Sequence, residues 1–114
     1  VRKETFHRMS TRLYKAAALL LLAPVVLSAT VEITNRTGLE IYFVWVCEAH
    51  VDKWVDVLGL DILDEGETLE FYVDQGYYNI RIEDSNWETY TVLDIPLGHD
   101  DVFVWNVSLC DKDR

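Results

Sequence analysis

The stretch Leu39–Cys47 (LEIYFVWVC) constrains the fold more than any other part of the chain. It consists almost wholly of β-branched and aromatic residues, which suit a pleated strand and lose rotamer freedom in a helix. Successive strand side chains point to opposite faces. Leu39, Ile41, Phe43, Trp45 and Cys47 therefore share one face, and Glu40, Tyr42, Val44 and Val46 share the other. Both sets become apolar towards the end of the run, so this strand belongs in the middle of a sheet.

The chain after Ala29 keeps the same grammar. Val31–Thr34 is short and β-prone, and Asn35-Arg-Thr-Gly38 reads as a turn. Trp54–Leu63 (WVDVLGLDIL) alternates like a strand until Gly59 breaks it, and Asp64-Glu-Gly66 is the next turn. Thr68–Val73 places Leu69, Phe71 and Val73 inward; Tyr77–Glu83 places Tyr78, Ile80 and Ile82 on one face. Asp84-Ser-Asn86 turns the chain into Trp87–Leu93, residues 95–101 read as a loop, and Val102–Leu109 is the last strand. With turn signals about every 8–12 residues, this pattern predicts an all-β fold, a single small antiparallel β-sandwich of six to seven strands. A length of 114 residues allows one domain.

The amino-terminal part differs in kind. Five of the ten basic residues lie in the first fifteen positions, and the uncharged run Ala16–Ala29 (AAALLLLAPVVLSA) comes next. That run is shorter than the about 20 apolar residues that span a bilayer. A basic start, a short apolar centre and a small-residue end describe a secretory signal peptide. The expectation is a signal-peptide helix over 1–29, with residues 1–8 an upstream extension ahead of Met9, cleavage after Ala29, and a β-sandwich domain over 30–114. An uncut membrane anchor is the alternative. Either points to a secreted or periplasmic protein of a bacterial envelope, in contact with a membrane only through an uncleaved signal.

Residues 30–114 carry 19 acidic and five basic side chains, a net charge of −14. Nucleic-acid backbones require a positive face, so they are excluded as partners. In an oxidising compartment two cysteines in a small domain usually pair. A Cys47–Cys110 disulfide is therefore expected, contributing roughly 2–4 kcal/mol.

Asn35-x-Thr37-Gly38, the aromatic strand 41–46, Trp54 followed by Asp56-x-Leu-Gly59, Leu63-x-x-Gly66-Glu67 and the Tyr-rich stretch 77–82 together resemble a group of small secreted bacterial proteins of uncharacterised function. The chain departs from them at Cys47-Glu48, where such proteins often carry Ser-Pro. The resemblance implies a β-sandwich and a secreted life, and it implies no catalytic residue.

Motifs of known chemistry are missing: there is no G-x-S-x-G, H-E-x-x-H, phosphate-binding glycine loop or C-x-x-C. The densest carboxylate run, Asp61, Asp64, Glu65, Glu67 and Glu70, could converge on Ca²⁺ around a tight turn, or could be a solvated edge that blocks strand-to-strand aggregation. His50-x-Asp52 with Asp56, and His99-Asp100-Asp101, are weaker metal candidates. No other cofactor is implied. Strand alternation must push some of Tyr42, Tyr72, Tyr77, Trp87 and Tyr90 onto outer faces, where aromatics anchor protein or carbohydrate partners. The chain therefore reads as a non-catalytic binding or interaction module. The alternatives are a calcium-binding module and a small carboxylate-dependent hydrolase, the latter disfavoured because so small a sandwich has little room for a cleft. If residues 1–29 are a signal, amino-terminal sequencing of exported protein will begin at or within two residues of Thr30. An intact amino terminus on membrane-held protein would establish the anchor instead.

Overall fold

The computed structural model describes residues 28–114 and, ahead of them, Tyr14–Ala16. Among these residues there are eight strands: β1 (Tyr14–Ala16), β2 (Ser28–Arg36), β3 (Ile41–Glu48), β4 (Val55–Asp56), β5 (Thr68–Asp74), β6 (Gly76–Asp84), β7 (Thr89–Leu97) and β8 (Val102–Ser108). They form two four-stranded sheets, ordered β1-β5-β2-β8 and β4-β3-β6-β7. The fold is the all-β sandwich that the alternation implied.

Three details depart from the expectation. The first sheet is mixed, because β8 runs parallel to β2 and β1 parallel to β5. The chain leaves β7 in one sheet and enters the other through residues 98–101, where Asp100 N–H bonds to Ser28 O and Thr30 N–H to Asp101 O. That entry aligns β8 with β2 instead of folding it back as a hairpin. Secondly, β7 continues through Ile95 and Leu97, which are buried, where a loop was expected. Thirdly, most of the proposed signal peptide lies outside the described residues, but Tyr14–Ala16 is strand and not helix. The proposed cleavage point falls inside β2, where Ser28 and Ala29 pair with Asp74 and Val73.

Between the sheets lie Val31 and Ile33 of β2, Val44 and Val46 of β3, Leu69, Phe71 and Val73 of β5, and Tyr78, Ile80 and Ile82 of β6, all nearly or fully buried. The alternation in β5 and β6 is the one read from sequence. In β3 it is not, because a bulge between Ile41 and Phe43 shifts the register against β6. An extra residue in one strand reverses the facing of the residues after it. Ile41 thus joins Val44 and Val46 inside, while Phe43 and Trp45 turn outward and stay half-buried.

Two buried polar side chains hold the ends together. Asn35 is fully buried; its amide donates to Leu39 O at 2.7 Å and Leu63 O at 2.9 Å, and its Oδ1 accepts from Thr37 N–H and Oγ1. Asp84, also fully buried, accepts from Asn86 and Glu88 N–H and, at 2.7 Å, from Tyr90 Oη. Burial and that bond push the Tyr90 phenol well above its ordinary value.

The expected disulfide is not formed; both cysteines are free, Cys47 buried and Cys110 exposed. Cys110 sits in the 3₁₀ turn Leu109–Asp111, which leads directly to the outer edge of β7, where Lys112 bridges Tyr90. Strands β6 and β7 therefore stand between the two thiols. With two strands intervening, the separation is about three strand spacings, about 14 Å, beyond the roughly 7 Å Cα separation a disulfide tolerates.

Asp113 closes that edge. It accepts from the Thr89 hydroxyl at 2.8 Å, the Thr91 hydroxyl at 2.6 Å and Thr91 N–H at 3.1 Å. Partial burial alone would raise its carboxyl, but the Thr91 and Thr89 bonds and the charge of Arg81 outweigh it and hold the group below its ordinary 3.8. A depressed carboxyl contributes above its unfolded value and ceases to contribute as pH falls through the folded one. The tail should therefore stay latched at pH 6 and detach only in acid below the ordinary carboxyl value of 3.8. Amide exchange read by NMR should show Thr91 N–H protected at pH 6, and unprotected either in acid or in Asp113→Ala. Protection that survives the substitution would contradict the latch.

Candidate functional site

The reversed facing of β3 has a chemical result: it puts an aromatic row on the outer face of the second sheet. Phe43 and Trp45, two apart on β3, stack with centroids 5.3 Å apart and an interplanar angle of 12°. Trp87, in the β6–β7 turn and half-exposed, extends the stack from Phe43 at 6.3 Å and meets Tyr42 edge-on at 5.9 Å. Trp87 holds φ 65°, a left-handed conformation a bulky residue rarely takes. The Asp84 carboxylate, bonded to the N–H groups on either side, caps the turn that holds it there.

Across the ladder, Trp45 stands opposite Arg81 of β6 and Asp56 of β4. The Arg81 guanidinium lies 5.1 Å from the Trp54 ring centroid, a cation–π contact. Trp45 Nε1 donates to Glu83 Oε1 at 3.2 Å. Trp45, Trp54, Arg81 and Glu83 line a cleft of about 320 Å³. Trp54 also borders a second cleft of about 320 Å³ formed with Cys47, His50, Val51, Asp52 and Asn79. The two clefts share Trp54 in their linings, and the first, between Trp45 and Trp54, is the groove.

The groove has indole walls and an opposite-charge pair, Arg81 and Glu83, one a hydrogen-bond donor and the other an acceptor. Cys47 gives the second cleft no nucleophile: burial pushes the thiol up, an effect only partly offset by the Asn79 amide 3.7 Å from Sγ. A raised thiol is poorly reactive.

The sequence-derived candidates fall in different places. Of the five aromatics, only Tyr42 and Trp87 meet. Tyr42 and Tyr90 are buried, Tyr72 lies on the outer face of the other sheet, and the exposed Tyr77 flanks Pro96, its cross-strand partner. Tyr42 and Tyr90 are therefore core residues and not surface anchors. The five carboxylates also stay apart. Asp61 is exposed, Glu65 accepts from Gly38 N–H at 2.7 Å, Glu67 is buried and accepts from Asp64 N–H at 2.9 Å, and Glu70 sits on β5 opposite Glu32. Among the described residues, no three His, Cys, Asp or Glu side chains are grouped to hold a metal ion, so the structure brings together neither this run nor either histidine cluster. Glu65 and Glu67 instead serve as acceptors at their turns. His99 lies 3.3 Å from Asp100 in an exposed loop.

Phe43, Trp45, Trp54, Arg81 and Glu83 were missed by sequence reasoning. The available signal was Phe43 and Trp45 alternating with Val44 and Val46, which allows only one pair in the core; the bulge decides which. No known protein family matches the chain, and no match was found among characterised proteins or solved structures.

With both thiols free, native protein will react with two equivalents of a thiol reagent, Cys110 rapidly and Cys47 slowly. A non-reducing mass two hydrogens below the dithiol form would contradict this.

Proposed function

We propose that this protein is a non-catalytic carbohydrate-binding module, and that its ligand lies in the groove on the outer face of the second sheet. The cleft between Trp45 and Trp54, with Arg81 and Glu83 in its lining, is the observation that carries this reading. A sugar ring offers C–H groups on its faces and hydroxyls at its edge. Indole walls match the faces. A guanidinium and a carboxylate match a pair of hydroxyls, one accepting and the other donating. The apolar lining with few polar groups is the usual make-up of a ligand site. The net charge of −14 on residues 30–114, from 19 acidic and five basic side chains, selects against sulfated or phosphorylated glycans and leaves neutral ones. A secreted or periplasmic location, expected from residues 1–29, would bring such a module to glycans outside the cytoplasm.

The test is intrinsic tryptophan fluorescence of the full chain titrated with neutral oligosaccharides, namely glucan, xylan and chitin fragments, and with sulfated counterparts. A neutral fragment should change the emission, and a sulfated one should not. Trp54→Ala should weaken binding at least tenfold, which is about 1.4 kcal/mol, and Glu83→Gln should weaken it several-fold with the fold intact. Silence towards every neutral fragment, or binding indifferent to Trp54→Ala, would overturn the proposal. A proline-rich peptide perturbing the same indoles would assign the groove to a protein partner instead.

A further inference from the structure

The first sheet ends on β8, and the geometry there is independent of the groove. The bond from Thr30 N–H to Asp101 O sets the phase of the parallel β2–β8 ladder. Hydrogen bonds in a parallel pair use alternate residues of each strand. Residues 101, 103, 105 and 107 of this segment therefore face β2, while the backbone groups of Val102, Val104 and Asn106 point away from it. Among the described residues, no strand pairs with that far side. The next outward amide, Ser108 N–H, is taken by Asp111 Oδ2 at 2.9 Å, which ends the open stretch.

Proteins usually blunt such an edge with charge, proline or a bulge. This one carries none of these: Val102–Ser108 (VFVWNVS) has no charged residue and no proline, and its register with β2 is unbroken. Val102 and Val104 are exposed at 57% and 54%, beside the open edge on the outer face. Phe103 and Trp105, on the other face, are only partly buried against the core. An added strand would find apolar neighbours on both of its faces. The acids stand at the two ends, with Asp100 and Asp101 exposed before the strand and Asp111 exposed after it.

We infer that β8 is a docking edge for an extended segment of another protein, apolar at its centre and flanked by Lys or Arg, which adds as a ninth strand. The backbone groups of Val102, Val104 and Asn106 supply the hydrogen bonds of strand addition. The terminal acids supply charge complementarity, which speeds encounter and selects the partner. A second copy of this chain fits less well. Antiparallel β8–β8 pairing centred on Val104 would bring Asp100 of one copy towards Ser108 and Asp111 of the other, between two chains that are both strongly acidic.

The probe is a synthetic peptide with a Val-Thr-Val-Thr-Val centre and two lysines at each end, against the same centre flanked by glutamates. With the full chain, the lysine peptide should bind, more weakly as salt rises, and should slow amide exchange at Val102, Val104 and Asn106. The glutamate peptide should bind at least tenfold more weakly. Val104→Pro removes an N–H that points away from β2, so it should abolish binding while β2–β8 amide protection persists. Asp100→Asn, at a residue with φ 67° that Asn tolerates, should weaken binding several-fold without touching the strand. The inference is overturned by equal affinity for both peptides, by unchanged exchange at the three outward amides, or by a sedimentation dimer whose β8 amides are already protected without peptide.

Discussion

A two-layer sandwich has one interior, and β3 brings it two apolar faces. Only one of those faces can be buried between the sheets, and the bulge between Ile41 and Phe43 settles the choice. Val44 and Val46 go in, and Phe43 and Trp45 go out. The aromatic row and the groove on the outer face of the second sheet both stem from that choice. The outward aromatics stack on each other and on Trp87, Trp45 takes Glu83 as its hydrogen-bond partner, and the remaining gap towards Trp54 is the groove. Two half-buried indoles framing a cleft are a costly arrangement in water unless something occupies it, since apolar area left exposed forgoes about 25 cal/mol per Å².

The acidic side chains do two kinds of work. Some are structural acceptors at turns and edges: Glu65 for Gly38, Asp84 for the Trp87 turn, Asp111 for Ser108 and Asp113 for Thr89 and Thr91. The first three take a backbone N–H for which an irregular segment offers no carbonyl, which keeps those turns satisfied, and Asp113 takes the hydroxyls of β7. Others only add charge. Glu32 and Glu70 face each other across β2 and β5, and like charges opposed on a sheet are destabilising. Beneath that pair the core is continuous and includes Ile33, Phe71 and Ile80.

Much of the fold was legible in the sequence. Strict alternation in Thr68–Val73 and Tyr77–Glu83 placed Leu69, Phe71, Val73, Tyr78, Ile80 and Ile82 inside correctly, because each of these strands has a single apolar face. The Asn35 turn was equally readable, since its residue types have few other uses. What local pattern could not carry was anything set by a partner strand. The facing of β3 depends on a bulge defined against β6, and the parallel direction of β8 depends on how residues 98–101 meet β2. The groove was invisible for the same reason: Trp54, Trp45, Arg81 and Glu83 come from three separate segments that only sheet register brings together. The cysteines misled because pairing was argued from number and expected compartment, whereas distance across β6 and β7 decides it.

The groove and its proposed ligand both depend on the facing of β3, and solvent paramagnetic relaxation read by NMR tests that facing directly. With a soluble paramagnetic agent, the ring protons of Trp54 and Trp87 should relax strongly and those of Phe43 and Trp45 measurably, while the methyls of Val44 and Val46 should be as shielded as those of Ile80 and Ile82. Relaxed Val44 and Val46 methyls beside shielded Phe43 and Trp45 rings would mean that β3 faces the other way, and the groove and the function argued from it would both fall.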